Sequence, residues 1–157
     1  GDLAAALART QLRGLDQRNA LIAAQVRKLN DRLTQLPGLS EQQAAPEMRR
    51  VHWAANLLFF DEVTAGFSKE VLLKALKAEG VRVSGSPYDE QHKYRLYTEV
   101  RWWHHPPQIP ASLPGCEQVN KSSIRLPLFT ESAPDLIDQY AKAFEKIWAH
   151  RDALRKT

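Results

Sequence analysis

Residues 84–115 gather most of the side chains able to do chemistry: Tyr88, His92, Tyr94, Arg95, Tyr97, Trp102, Trp103, His104 and His105. They are interrupted by Gly85, Pro87, Pro106, Pro107, Pro110, Pro114 and Gly115. Phenol, imidazole and guanidinium groups in one segment suit a ligand rich in hydroxyls or carrying an anion. More than about 30 residues without apolar periodicity is long for a connection inside a small domain, and such loops commonly carry function. No complete catalytic set accompanies it. The five histidines, His52, His92, His104, His105 and His150, offer no pair at shared-face spacing with a carboxylate nearby, so no metal site is expected. Cys116 is the only cysteine; beside Gly115 and without a nucleophile signature, it reads as an inert structural thiol. Phosphate loops, dinucleotide fingerprints and the Gly-x-Ser-x-Gly elbow are absent. Trp102-Trp103-His104-His105 could stack on a sugar or a base, but adjacent tryptophans more often divide between a core and an interface rim.

The elements that must position this loop fit one domain with an arm. The chain has 157 residues, 43% hydrophobic and 25% charged, which excludes disorder and low complexity. No apolar run approaches the ~18–20 residues of a membrane-spanning helix, so no membrane role is expected. One cysteine excludes a disulfide framework, and no secretory leader is in view, so a cytoplasmic location is expected. The net charge of +4 comes from scattered basic positions, and nucleic acid is not an expected partner. Gly1 before an acidic helix start reads as a remnant of tag removal, so the chain is expected to begin inside a longer protein.

The fold expectation is α+β: a small, mainly antiparallel sheet covered by helices and preceded by a long N-terminal helix. Residues 1–36 read as a connecting helix or helix pair, opened by Asp2 as cap and interrupted at Gly14. Leu12, Leu15, Ile22, Val26, Leu29, Leu33 and Leu36 recur on one helical face. Residues 37–157 read as the α+β unit. Within it, 39–50 is a loop and His52 to Phe60 a central strand. Lys69 to Glu79 is a helix capped by Ser68 and ended by Gly80. Val81-Arg82-Val83 is a second, short strand. Ile124 to Leu128 is a third, with Pro127 marking an edge or an end. A last helix is capped by Ser132, with Pro134 in its first turn.

The ordered motifs resemble a known family. Asp2-Leu3-Ala4-Ala5-Ala6-Leu7, Gln11-Leu12, Leu15-Asp16 and Arg18 resemble the helix after the substrate loop in the DegT/DnrJ/StrS family of pyridoxal-phosphate sugar aminotransferases. Leu36-Pro37-Gly38 is similar to the family's turn, and His52 to Phe60 to its first small-domain strand. Leu76 to Val81 is similar to its helix end, Tyr88 to Tyr94 to its substrate-facing loop, and Leu126-Pro127-Leu128 to its final strand. The resemblance covers essentially all of the chain. It implies the C-terminal small domain of a fold type I pyridoxal-phosphate enzyme.

The family's Schiff-base lysine, its pyridine-pairing aspartate and its cofactor-stacking aromatic would all lie upstream, and none of the nine lysines here is in a matching position. The resemblance therefore implies pyridoxal 5'-phosphate in the full-length protein only, and no amino transfer by this stretch alone. It further implies a keto sugar, nucleotide sugar or cyclitol as substrate, contacts through Tyr88, His92, Tyr94 and Arg95, an upstream large domain and a homodimer. Where the family carries a compact His/Tyr-Pro pair, this chain reads Ser86-Pro87-Tyr88-Asp89, and Asp89-Glu90 would repel phosphorylated sugars. The competing reading is a non-catalytic interaction or dimerisation module that binds a protein partner through its long helix.

Overall fold

Gly14 divides the N-terminal helix into α1 (Asp2–Arg13) and α2 (Leu15–Leu33). The computed structural model describes residues 1–48, 50, 54–99, 101, 103–105 and 107–155. Arg18 bridges the break by donating to the Gln11 side chain at 2.9 Å and to its carbonyl at 3.3 Å. Gly1, not Asp2, occupies the N-cap; Asp2 lies in the first turn, where its charge complements the helix dipole. The expected apolar face is buried only over its second half. Ile22, Val26, Leu29 and Leu33 are inside, Leu36 is half-buried, and Leu12 and Leu15 are exposed, as is every residue of α1. The reason is position: α2 packs extensively on the C-terminal helix, whereas α1 packs chiefly on α2 among the described residues.

Three antiparallel strands form the sheet in the order β1 (Leu39–Glu41), β2 (Asn56–Phe60), β3 (Ser123–Leu126). Phe60 faces Leu39 and Leu58 faces Ile124 across the ladders. β2 is central, as its aromatic run indicates. It begins at Asn56; His52 and Trp53 fall outside the described residues. The expected 39–50 loop starts instead with β1, a three-residue edge strand, because Gly38 (φ 86°) turns the chain and accepts from the Asp61 N–H at 2.8 Å. β3 stops at Leu126, before Pro127, which has no N–H to extend the ladder.

Val81-Arg82-Val83 is not a strand. The Val81 N–H closes the end of α4 (Lys69–Ala78) onto the Leu76 carbonyl at 2.9 Å, and the Arg82 N–H goes to the Tyr140 hydroxyl at 3.1 Å. With those donors occupied, only Ser84 pairs with Arg125. α4 itself has the expected Ser68 cap, and the Gly80 N–H donates to the Lys77 carbonyl, completing a Schellman ending. Three short helices lie where none was read: α3 (Glu62–Ala65), after its Asp61 cap, α5 (Arg95–Thr98) and α6 (Pro114–Ser122). Pro114 opens α6 at a position where a missing N–H costs nothing.

α7 (Pro134–Ala149) has Pro134 in its first turn, but Ser132 does not cap it. The buried Gln25 of α2 does that work. Its Oε1 accepts from the Ala133 N–H at 2.8 Å, and its Nε2 donates to the Phe129 and Glu131 carbonyls at 2.7 and 2.9 Å. A reach from a neighbouring helix displaces the local hydroxyl. α7 packs on both α2 and α4, and its Phe144 and Trp148 join Phe60 and Phe67 in the core before α8 (Arg151–Leu154) ends the described chain.

Candidate functional site

The long loop is tied down at both ends. The reciprocal Ser84–Arg125 backbone bonds, 3.1 and 2.8 Å, join its start to the sheet. At its far end the Asn120 carbonyl of α6 accepts from Lys69 Nζ of α4 at 2.8 Å. Between these anchors lie a 3-10 turn over Gln91–Lys93 and then α5. Trp103 organises the middle: its ring stacks on Tyr97 with centroids 5.8 Å apart, and its Nε1–H donates to the Leu96 carbonyl at 2.6 Å. It belongs to neither the core nor an open stacking platform. Trp102 lies outside the described residues; His104 and His105 are exposed with tilted rings.

Tyr88, Tyr94 and Arg95 reach solvent, Tyr88 with 71% of its surface exposed. Arg95 pairs with Glu99 at 2.5 Å one turn along α5, and Glu99 also meets Arg101 at 2.9 Å. His92 differs from the other three. Its side chain is only 9% exposed and turns inward, with Nε2 3.6 Å from Glu90 Oε2. Among the described residues no hydrogen bond, ion pair or ring contact joins any two of Tyr88, His92, Tyr94 and Arg95.

Spacing suggested no carboxylate beside a histidine, yet His92 has two. Glu90, His92 and Glu117 bring one ligand-type atom each to within 4.8 Å of one another. Glu90 precedes His92 by two residues; Glu117 comes from the first turns of α6 and is invisible to local pattern. Glu90 is therefore not the outward acid expected. Its side chain is 16% exposed and ion-paired with Lys93, whose ammonium pKa the Glu90 carboxylate raises. Glu117 is held below the usual carboxylate range, chiefly by the Ser112 hydroxyl donating to Oε1 at 2.9 Å; the Leu113 N–H adds a bond at 3.3 Å. Cys116, next to it, is exposed rather than packed.

A lysine that condenses with pyridoxal phosphate must be desolvated or crowded by charge to be a nucleophile near neutral pH. Lys28, Lys74, Lys77, Lys93, Lys121, Lys142 and Lys146 are exposed, and half-buried Lys69 is committed to the Asn120 carbonyl. The described residues do not fit the covalent anchor of that cofactor.

Solved structures share this architecture. The aminotransferase TlmJ from Streptoalloteichus hindustanus superposes over 95% of this chain and 37% of its own, at 17% identity and a TM-score of 0.68. AtS13 from Actinomadura melliaura does so over 92% and 34%, at 18% identity and 0.71. DesV from S. venezuelae, solved with a ketimine intermediate, does so over 94% and 36%, at 21% identity and 0.68. The chain thus spans about a third of the length of each, and the shared fold is that of fold type I aminotransferases. The sequence profile of the DegT/DnrJ/EryC1/StrS aminotransferases matches residues 1–145. This chain belongs to the DegT/DnrJ/EryC1/StrS aminotransferase family.

Proposed function

We propose that residues 1–157 are the C-terminal part of a pyridoxal-phosphate-dependent aminotransferase acting on a keto sugar, nucleotide sugar or cyclitol. Residues 1–36 are its connecting arm and 37–157 its small domain. The observation that carries this reading is the match of nearly the whole chain to about a third of the aminotransferase TlmJ and of DesV, together with described lysines unsuited to the cofactor. The cofactor and its lysine then belong to an upstream large domain. The exposed α1 ridge, with Leu3 86% and Leu7 62% exposed, gives that domain an apolar face to cover.

The work of this part is orientation and exclusion of water. Tyr88, Tyr94 and Arg95 project from one loop and supply hydroxyl donors and a guanidinium to a hydroxyl-rich substrate. His92, turned inward, positions the loop beneath them. A small domain closing over a site built elsewhere removes water from the reacting groups. A homodimer and a cytoplasmic location complete the reading. The same Leu3 and Leu7 ridge also favours the competing reading, a self-association module.

Assaying amino transfer to keto sugars with added pyridoxal phosphate separates the two. The full gene product is expected to transfer the amino group, and the 157-residue chain is not. In the full protein, Tyr88→Phe is expected to raise KM more than it lowers kcat, because a removed substrate contact is felt in the ground state. A full gene product without transferase activity, or turnover by the isolated chain, would overturn the proposal.

A further inference from the structure

We propose that Glu90, His92 and Glu117 form a site for a borderline divalent cation of the Zn2+ type, which clamps the 3-10 turn of the long loop to α6. The claim is independent of the aminotransferase reading.

Three observations converge on it. First, the geometry is close to a coordination shell: the three ligand-type atoms lie within 4.8 Å of one another, and His92 Nε2 is 3.6 Å from Glu90 Oε2. Ligands at about 2.0–2.2 Å around a tetrahedral ion stand about 3.3 Å apart, so small side-chain rotations close the shell. Second, the His92 side chain is about nine-tenths buried, yet neither ring nitrogen has a hydrogen-bond partner among the described residues. Unpartnered buried polar atoms are costly and rare in folded proteins. One cation would satisfy an imidazole nitrogen and take the place of the Lys93 ammonium on the Glu90 oxygen.

Third, the surroundings have the support that metal ligands need. Glu117 is oriented by the Ser112 hydroxyl and the Leu113 N–H, both on Oε1. Lys93 already places a positive charge against Glu90. Two carboxylates and one imidazole favour Zn2+ over Mg2+ or Ca2+, which prefer oxygen alone. Such an ion would join positions 92 and 117, 25 residues apart, and so hold the segment that carries Tyr94 and Arg95.

The test is calorimetric titration of the chelator-stripped 157-residue chain with Zn2+ at about pH 7.5. The expected result is one saturable equivalent. His92→Gln and Glu117→Gln should each weaken it by more than about a hundredfold, beyond the roughly 10–100-fold that loss of a supporting residue costs. Lys93→Met, by removing the competing ammonium, should tighten it. The double variant His104→Gln/His105→Gln should leave it unchanged. Should His92→Gln fail to fold, Co2+ absorption of the Glu117→Gln chain against the unaltered one gives the same reading. No saturable equivalent below about 100 μM, or an affinity indifferent to both ligand substitutions, would overturn the proposal.

Discussion

Asn30 and Asn56 exchange a pair of hydrogen bonds in the fully buried core. Asn56 Nδ2 donates to Asn30 Oδ1 at 2.6 Å, and Asn30 Nδ2 to Asn56 Oδ1 at 3.2 Å. Asn30 Nδ2 also donates to Glu41 Oε2 at 2.9 Å. The two amides thus tie α2 to the first residue of the central strand, while Glu41 holds the edge strand beside it. Asn56→Ala leaves the Asn30 amide partly unsatisfied and should cost about 2 kcal/mol, read from the urea midpoint. The double variant Asn30→Leu/Asn56→Leu should cost less than the sum of the two single changes, since no orphaned partner remains.

Gly38 and Gly80 share a left-handed conformation, φ 86° and 83°, but not the same surroundings. A Cβ at Gly38 would meet the Asp61 carbonyl oxygen at 2.7 Å, whereas one at Gly80 meets nothing within 4 Å. Gly80→Ala should cost about 1 kcal/mol, the conformational term alone. Gly38→Ala adds a backbone clash and should cost at least about 3 kcal/mol, since the Asp61–Gly38 bond at the start of β1 must give way. Paired thermal melts measure the difference.

Arg32 holds α2 against α7. Its Nε and Nη2 donate to the two oxygens of Glu145 at 2.9 and 2.8 Å, and Nη1 donates to Asp138 at 2.7 Å. Hydrogen bonds from Lys142 first, then Arg32, hold the Asp138 carboxyl below its ordinary 3.8. A depressed carboxylate gives the folded state fewer protons than the unfolded one. Its stabilisation is therefore complete above about pH 4 and is lost as pH falls through the depressed folded value. Asp138→Asn should flatten that part of the stability profile and leave the neutral-pH value little changed, because the pair is solvent-screened. Added salt should lower the stability of the unaltered chain slightly and that of Asp138→Asn less.

Leu3 and Leu7 touch little of this chain. Leu3→Glu and Leu7→Glu should shift its unfolding free energy by no more than about 0.5 kcal/mol. Amide exchange across α1 should be far faster than across Ile22–Leu33. In the full gene product the same substitutions should lower stability markedly if the upstream domain covers this ridge; an unchanged melt there would remove the docking role from α1.

What the sequence determined alone is what acts within a turn or two of backbone. Ser68 and Gly80 bound α4 because a hydroxyl and a left-handed glycine satisfy orphan groups three or four residues away. Pro127 ends β3 for want of an N–H, and the short apolar, aromatic run ending in Phe59-Phe60 marks a strand. The ordered motifs were enough for the family. The candidate loop could be located by its aromatics and prolines, but not its inward and outward faces.

Tertiary structure decided the partners. Gln25, 108 residues from Ala133, takes the capping role from Ser132, because a buried donor and acceptor pair on α2 reaches three groups at once. The Tyr140 hydroxyl claims the Arg82 N–H and so unmakes a strand that β propensity favoured. Glu117 comes to His92 only because α6 folds back beside the 3-10 turn. Hydrogen bonds and buried charge depend on which surfaces meet, and chain order does not encode that beyond a few residues. Only the fold brings such distant groups within bonding distance.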